Sequence, residues 1–308
     1  MFYSNIYDLS LSRISLGTAP FGSSIPRQTA FDILDQYLLY GGNLLDTAAV
    51  YGLGLSEKTI GTWMQKRGVR NRVYISTKGA HPSLPDWKPR VNDAAIRSDI
   101  EDSLRNLGTD YIDIYYLHRD DDSRPVSEIM PILHRFVCEG KVRYLGASNW
   151  TVSRIDEANT FARSNGLSEF SFSQIMWSAA YINKSNVYDQ TLIVMDEHEY
   201  SGYCHNNIPV MAYSSQAQGL FSHIQQRGYD ALSDSLMRTY INDGTRDRAE
   251  KILALARDTG LSPTAISLGY LLYSKIIAFP IIGVSSLSRL DESMQILNLT
   301  KELFDTLQ

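Results

Sequence analysis

Short apolar runs rich in β-branched and aromatic residues recur along the chain, and between them lie stretches whose apolar positions repeat every three to four residues. The runs are Ile14-Ser15-Leu16, Asn43-Leu44-Leu45, Val73-Tyr74-Ile75, Ile112 to Tyr116, Tyr144-Leu145-Gly146, Phe172-Ser173-Gln174, Pro209-Val210-Met211 and Ile276 to Phe279. Eight strands are indicated. Between them, Ile96, Ile100, Leu104 and Leu107 share one helical face behind Asn92, a capping residue type. Ile155, Ala158 and Ala162 repeat that pattern, and Ser164-Asn165-Gly166 ends it with residues that tolerate a left-handed turn. Ser262-Pro263 reads as a cap followed by proline at the first helical position, introducing a helix through Leu272.

Strands alternating with helices are the pattern of parallel strands joined by crossover helices. The spacing between strand centres stays at roughly 30 to 40 residues until the last interval, which is 68 and has room for an extra helix over 247–259. No Pro/Gly/Ser linker or low-complexity stretch divides the chain. The pattern predicts an α/β fold, one (β/α)8 TIM barrel forming a single domain over residues 1–308.

A chain of 308 residues, 44% apolar and 20% charged, buries enough surface to fold without disulfides or a structural metal. Cys138 and Cys204 form no spaced cluster, so a reducing compartment is the simpler expectation. The start MFYSNIYDLS lacks the features of a signal peptide, and no apolar run reaches the roughly 18 residues of a membrane span. A cytoplasmic protein is expected. The 29 basic and 34 acidic residues leave a net charge of −5, which argues against nucleic acid or an anionic membrane as partner. Nothing in the sequence signals an oligomeric state.

In such a barrel, chemistry belongs on the loops after the carboxyl ends of the strands. Asp46 and Tyr51 follow the second strand in LLDTAAVYG, Lys78 the third in VYISTKG, and His118 the fourth in IDIYYLHRD. Ser148 and Asn149 follow the fifth, Gln174 closes the sixth, Tyr213 and Ser214 follow the seventh, and Gly283 follows the eighth. Singly, each has an ordinary structural explanation: a surface lysine, a capping aspartate, a hydrogen-bonded histidine. Together they fall on one face. A phenol is a poor proton donor at neutral pH unless a nearby cation stabilises its anion. Lys78 can supply that cation, Asp46 can hold it charged and aimed, and His118 can donate to the oxygen of a bound carbonyl. The set can polarise C=O and deliver a proton, but it contains no hydride, which a redox cofactor must bring.

The usual dinucleotide fingerprint is absent, because Gly52-Leu53-Gly54 is followed by Glu57 where a third glycine belongs. Asp196-Glu197-His198-Glu199 with Cys204-His205 has no recognised ligand spacing, and no metal is expected. A Schiff-base lyase using Lys78 is a competing class; it needs a neutral amine, which Asp46 opposes.

The blocks LGTAPFG, LLDTAAVYG, STKG, SLRNLGTDYIDIYYLHRDD, GKVRYLGASNW, SFSQ, VMAYSS and IIGVSSLSRLDES, in this order, resemble the aldo-keto reductases over essentially the whole chain. The resemblance implies a nicotinamide cofactor bound without a Rossmann domain, NADP(H) preferred and NAD(H) possible, and a small-molecule aldehyde, sugar or ketone as substrate. It implies that Tyr51 is the proton donor, assisted by Lys78 and Asp46, with His118 orienting the carbonyl. Ser148, Asn149 and Gln174 match the residues that bind the nicotinamide carboxamide, and Tyr213 matches the ring that stacks on it. Ser214 and Gly219 fall in the pyrophosphate loop; Gly283, Ser285 and Arg289 fall at the adenosine end, with Arg289 the candidate for a 2′-phosphate. The chain departs from the family at Ser215, at the SSQAQGLFS continuation and at Asp291-Glu292-Ser293. Phe21, Trp87 and Trp177 are expected as aromatic walls of the substrate pocket, and the segment between Ser214 and Asp243 as a loop that orders over the site. The potassium-channel beta subunits also resemble this family, which makes a slow nicotinamide-binding sensor the alternative function.

Overall fold

The computed structural model describes residues 1–305 except Leu84 and Tyr188, so the last three residues of the expected domain lie outside it. Its centre is a closed barrel of eight parallel strands: β3 (Ser15–Gly17), β4 (Leu44–Asp46), β5 (Tyr74–Gly79), β6 (Ile112–Leu117), β7 (Val142–Ser148), β8 (Phe170–Met176), β9 (Val210–Tyr213) and β10 (Ala278–Gly283). Each pairs with the next, and β10 closes the barrel on β3 with Ile281 opposite Ser15. All eight expected strands are present; most reach one to four residues further towards their carboxyl ends than expected, and β7 and β8 extend two residues both ways.

An antiparallel hairpin precedes the barrel: β1 (Tyr3–Ile6) and β2 (Leu9–Ser12). The sequence reading missed it. Its Ile6, Leu9 and Leu11 join Leu44, Ile114, Tyr116, Phe172, Met211 and Phe279 in one buried cluster, so the hairpin plugs the amino-terminal end of the barrel. That interior is filled to contact. A Cβ on Gly146 would lie 2.3 Å from the ring of Tyr116, so β7 needs glycine there.

The helices surround this core: α1 (Arg27–Leu39), α2 (Leu55–Arg67), α3 (Asp93–Leu107), α4 (Val126–Cys138), α5 (Val152–Ser164), α6 (Glu197–Asn206), α7 (Leu220–Arg227), α8 (Asp234–Tyr240), α9 (Asp243–Thr259), α10 (Pro263–Leu272), α11 (Leu287–Met294) and α12 (Lys301–Asp305). The expected caps form, with Asn92 accepting from the Ala95 N–H and Ser262 from that of Ala265. Glu57, in place of the third glycine, is buried on α2 and accepts from Thr77 on β5 and Asn106 on α3. Burial pushes its carboxyl pKa up, against the pull of its hydrogen-bond donors.

The segment between Ser214 and Asp243 is not an open loop. It folds into α7 and α8, whose Leu220, Phe221, Ile224, Leu236 and Tyr240 are buried in the main core. The 68-residue interval therefore holds α7 to α10, and its long helix starts at Asp243 rather than 247. Both cysteines are free and exposed. Among the described residues no helix is long and apolar enough to cross a membrane.

Candidate active site

Side-chain alternation along the strands builds the site. On β5, Ser76 and Lys78 point into the barrel while Thr77 points out to Glu57. Lys78 Nζ donates to Asp46 Oδ2 at 2.8 Å and to the Thr47 carbonyl at 2.7 Å, and lies 3.5 Å from the Tyr51 hydroxyl. The other Asp46 oxygen accepts from Ser76 Oγ at 2.8 Å and Gln174 Nε2 at 2.9 Å. Burial alone would depress the lysine, but Asp46 and Tyr51 outweigh it and hold its pKa above the usual value. A protonated Lys78 is the opposite of what a Schiff-base lyase requires.

Tyr51 opens a tight turn, Tyr51–Gly54, in which Gly52, Leu53 and Gly54 all take positive φ. That backbone carries the phenol back over Lys78, whose ammonium lies 5.0 Å from the ring centre. His118 follows β6 and meets Tyr51 edge to face at 6.0 Å. Its Nδ1 is buried with no hydrogen-bond partner among the described residues, and Nε2 is not sealed in the same way. Burial first, then Lys78, Arg119 and His81, hold the imidazole well below its ordinary pKa, and it is neutral at pH 7.

A cleft of about 490 Å³ runs from Asp46 and Tyr51 along Gly17 to Pro20 and the carboxyl ends of β9 and β10, and reaches Arg289. Tyr213, Ser214, Gly219, Gly283, Ser285 and Arg289 all line it. Beside its inner end stand Ser148, Asn149 and Gln174, all buried. Gln174 Nε2 is committed to Asp46, while its Oε1 accepts from no described residue. Asn149, with φ +58, is a bridge: its Oδ1 accepts from the Tyr213 hydroxyl at 2.7 Å and from the Ile193 N–H at 3.1 Å, and its Nδ2 donates to Ser148 Oγ.

The departures from the family have local consequences. Ser214, Ala217, Gln218 and Gly219 all take positive φ, so the chain after β9 turns without the usual glycines, at a cost of about 1 kcal/mol for each non-glycine residue. The Gln216 amide fixes this path, accepting from the Gly283 N–H and donating to Ser293 Oγ. At the far end Arg289 is half-exposed and paired with Glu292 at 2.8 Å.

Of the three expected aromatic walls, Trp87 is linked to His118 by ring contacts through His81. Trp87 is 40% exposed and its ring lies 5.7 Å from that of His81, which in turn meets His118 at 4.8 Å. Phe21 is fully buried in the same core cluster as Ile25, Phe31, Ile60 and Trp63, where a turn closed by the Phe21 N–H to the Thr18 carbonyl places it. Trp177 faces outward. It continues β8 with the parity of Ile175, packs edge-on against Tyr200 and lines a second cavity between α6, α9 and α10. None of Phe21, Trp87 and Trp177 lines the cleft that runs to Arg289.

The sequence reading also missed His81 and Arg119. Arg119, beside His118, is buried and ion-paired with Asp189 at 2.9 Å. Asp196 and Glu199, weighed as metal ligands, instead serve α6 and α5: Asp196 caps α6 at Glu199, and Glu199 accepts from the Val152 N–H. Among the described residues no group of three or more histidine, cysteine, aspartate or glutamate side chains is placed to hold a metal ion.

Residues 13–308 match the family model of the Aldo/keto reductase family. A norsolorinic acid reductase of Aspergillus flavus is 30% identical over 94% of this chain and 74% of its own length. The aldo-keto reductase ausK of Aspergillus calidoustus is 31% identical over 94% of this chain and 74% of its own. An aryl-alcohol dehydrogenase [NADP(+)] of Phanerodontia chrysosporium is 27% identical over 96% and 80%. The chain belongs to the aldo/keto reductase family and is an oxidoreductase.

Proposed function

We propose that this protein reduces aryl aldehydes or ketones to alcohols with NADPH. The observation that carries the reading is the Lys78 ammonium, held by buried Asp46 and 3.5 Å from the Tyr51 hydroxyl, with a neutral imidazole beside it.

The cleft suits an elongated dinucleotide. It runs unbroken from Tyr51 to Arg289, a Cβ at Gly283 would meet nothing within 4 Å, and its outer end carries a cation. Gln174 Oε1 and the Ser148 hydroxyl are the groups left to hold a carboxamide, Tyr213 presents its ring, and Ser214 and Gly219 border the space for a pyrophosphate. Gly283, Ser285 and Arg289 would take the adenosine end, Arg289 on a 2′-phosphate. Bound there, the nicotinamide supplies the hydride for the carbonyl carbon.

The chain's own work is on the carbonyl oxygen. His118 Nε2–H donates to that oxygen and orients it. Tyr51 gives up its hydroxyl proton to it, and the Lys78 ammonium stabilises the charge left on the phenol oxygen. Asp46 keeps the ammonium charged and aimed. General acid catalysis of this kind contributes about 10²- to 10⁴-fold. Trp87 and His81 form an aromatic surface beside His118, and a relative named for aryl alcohols supports an aromatic substrate.

The reading is tested by following the absorbance of reduced nicotinamide with a panel of aryl and short aliphatic aldehydes. Steady NADPH consumption, fastest with aryl aldehydes, is expected. Consumption no faster than without substrate across the whole panel would refute it, and is the outcome that a dedicated sensor would give.

A further inference from the structure

In the segment between β8 and α6, Asp189 and Thr191 are joined to the chain after β6 through one buried cation. Arg119 exposes only 8% of its surface, and its fork is spent in three directions: Nη1 on the His118 carbonyl at 2.8 Å, Nε on Thr191 Oγ1 at 3.0 Å, and Nη2 on Asp189 Oδ2 at 2.9 Å. The second Asp189 oxygen accepts from both the backbone N–H and the hydroxyl of Thr191. The loop is tied back again where the Ile193 N–H reaches Asn149, which also holds Tyr213.

We propose that Arg119, clamped by Asp189 and Thr191, is a positioning residue that fixes residues 189–193 against the backbone of His118 at the barrel mouth. The proposal rests on the carbonyl-reductase reading for its use in catalysis, but the coupling itself is a property of the fold.

Two features support it. A guanidinium buried this deeply is costly unless its donors are paired, and here two of its three partners come from residues 189–191, so losing it frees that stretch while Met176, Arg248 and α8 still hold the rest of the segment. The groups around His118 are Lys78 from β5, paired with Asp46, His81 from the loop after β5, Tyr51 from its turn, and Arg119 from its own segment, paired with Asp189. Burial is the largest influence that keeps the ring unprotonated, and the two cations add to it. An imidazolium would give its proton away, whereas a neutral ring offers Nε2–H to the carbonyl and leaves proton delivery to Tyr51.

The test uses Arg119→Met, Arg119→Lys and Asp189→Asn in the full chain. The His118 ring resonance, assigned by its loss in His118→Asn, is followed by NMR from pH 5 to 8, and cleavage of the native protein within 177–196 by limited proteolysis. The wild-type ring is expected not to titrate. In Arg119→Met the ring resonance should move and cleavage around residues 189–191 should be at least tenfold faster; Arg119→Lys, which cannot hold Asp189 and Thr191 together, should be cut nearly as fast. With aldehyde and NADPH, Arg119→Met should lose at least tenfold in kcat, while NADPH affinity by fluorescence quenching changes less than threefold. An unchanged cleavage rate in either Arg119→Met or Asp189→Asn, or an unmoved His118 ring resonance in Arg119→Met, would overturn the proposal. Neither readout requires turnover, so failure of the carbonyl-reductase reading would leave this result standing by itself.

Discussion

Lys78 Nζ lies 2.8 Å from Asp46 Oδ2, and neither side chain exposes more than 4% of its surface. Asp46 is held by two further donors, Ser76 and Gln174, so the pair is fixed from β4, β5 and β8 at once. Removing one partner of such a pair leaves the other buried and uncompensated, which costs about 3–5 kcal/mol. Asp46→Asn should therefore lower stability by that order and reduce kcat at least a hundredfold. The double variant Asp46→Asn, Lys78→Met should be less destabilised than the sum of the singles, and urea unfolding checks this. The folded-state pKa of Lys78 is raised, so its stabilisation is complete below the unfolded value near 10.4 and is lost only as pH rises above it. The stability gap between wild type and Lys78→Met should close only in that alkaline range.

Trp87 and Phe21, both expected as pocket walls, should behave in opposite ways. Trp87→Ala should leave thermal stability nearly unchanged and raise KM for aryl aldehydes roughly 2- to 12-fold, the equivalent of one aromatic contact, without affecting short aliphatic ones. Phe21→Ala should cost about 3–5 kcal/mol of stability and change no substrate preference. Melting curves beside steady-state kinetics for the two variants check the pair.

Arg289 is the cation at the outer end of the cleft, and Glu292 already shares it. A charge-assisted hydrogen bond is worth about 1.5–3 kcal/mol, so Arg289→Ala should weaken NADPH binding roughly 10- to 150-fold and NADH binding little. Quenching titrations with both cofactors measure this; equal loss for the two would remove Arg289 from the 2′-phosphate.

Asp120, next to Arg119, is half-sealed against Arg154, and burial pushes its pKa up to about 6 despite that partner. The folded carboxyl thus holds its proton more tightly than the unfolded one near 3.9, so folding takes up a proton between roughly pH 4 and 6 and stability falls as pH rises through that window. Asp120→Asn removes the effect. Its stability relative to wild type should improve from pH 4 to pH 7 by up to about 3 kcal/mol, read from melting temperatures across that range.

The barrel was legible because strands covered on both sides read as apolar runs, and the polar residues at their ends stand out against them. Asp46, Lys78 and His118 are such residues. Other features left weaker signals. The plugging hairpin turns at Tyr7, which takes φ +53 without a glycine to mark it. The segment after Ser214 is rich in glutamine and reads as a loop, yet a few apolar residues suffice to bury α7 and α8. Trp177 was readable in principle, since the inward Gln174 fixes the parity of β8 and puts residue 177 outside. Arg119 was not, because its partner Asp189 lies 70 residues away and only the closed barrel brings them together.

The central claim is that Tyr51 delivers the proton while the rest of the site is built without it. The most direct measurement is single-turnover reduction of an aryl aldehyde by Tyr51→Phe preloaded with NADPH, with cofactor affinity measured on the same sample. The account predicts NADPH affinity within about threefold of wild type, since no described cofactor group depends on the hydroxyl, and a reduction rate at least a hundredfold lower. A variant that binds NADPH and reduces the aldehyde at the wild-type rate would contradict it.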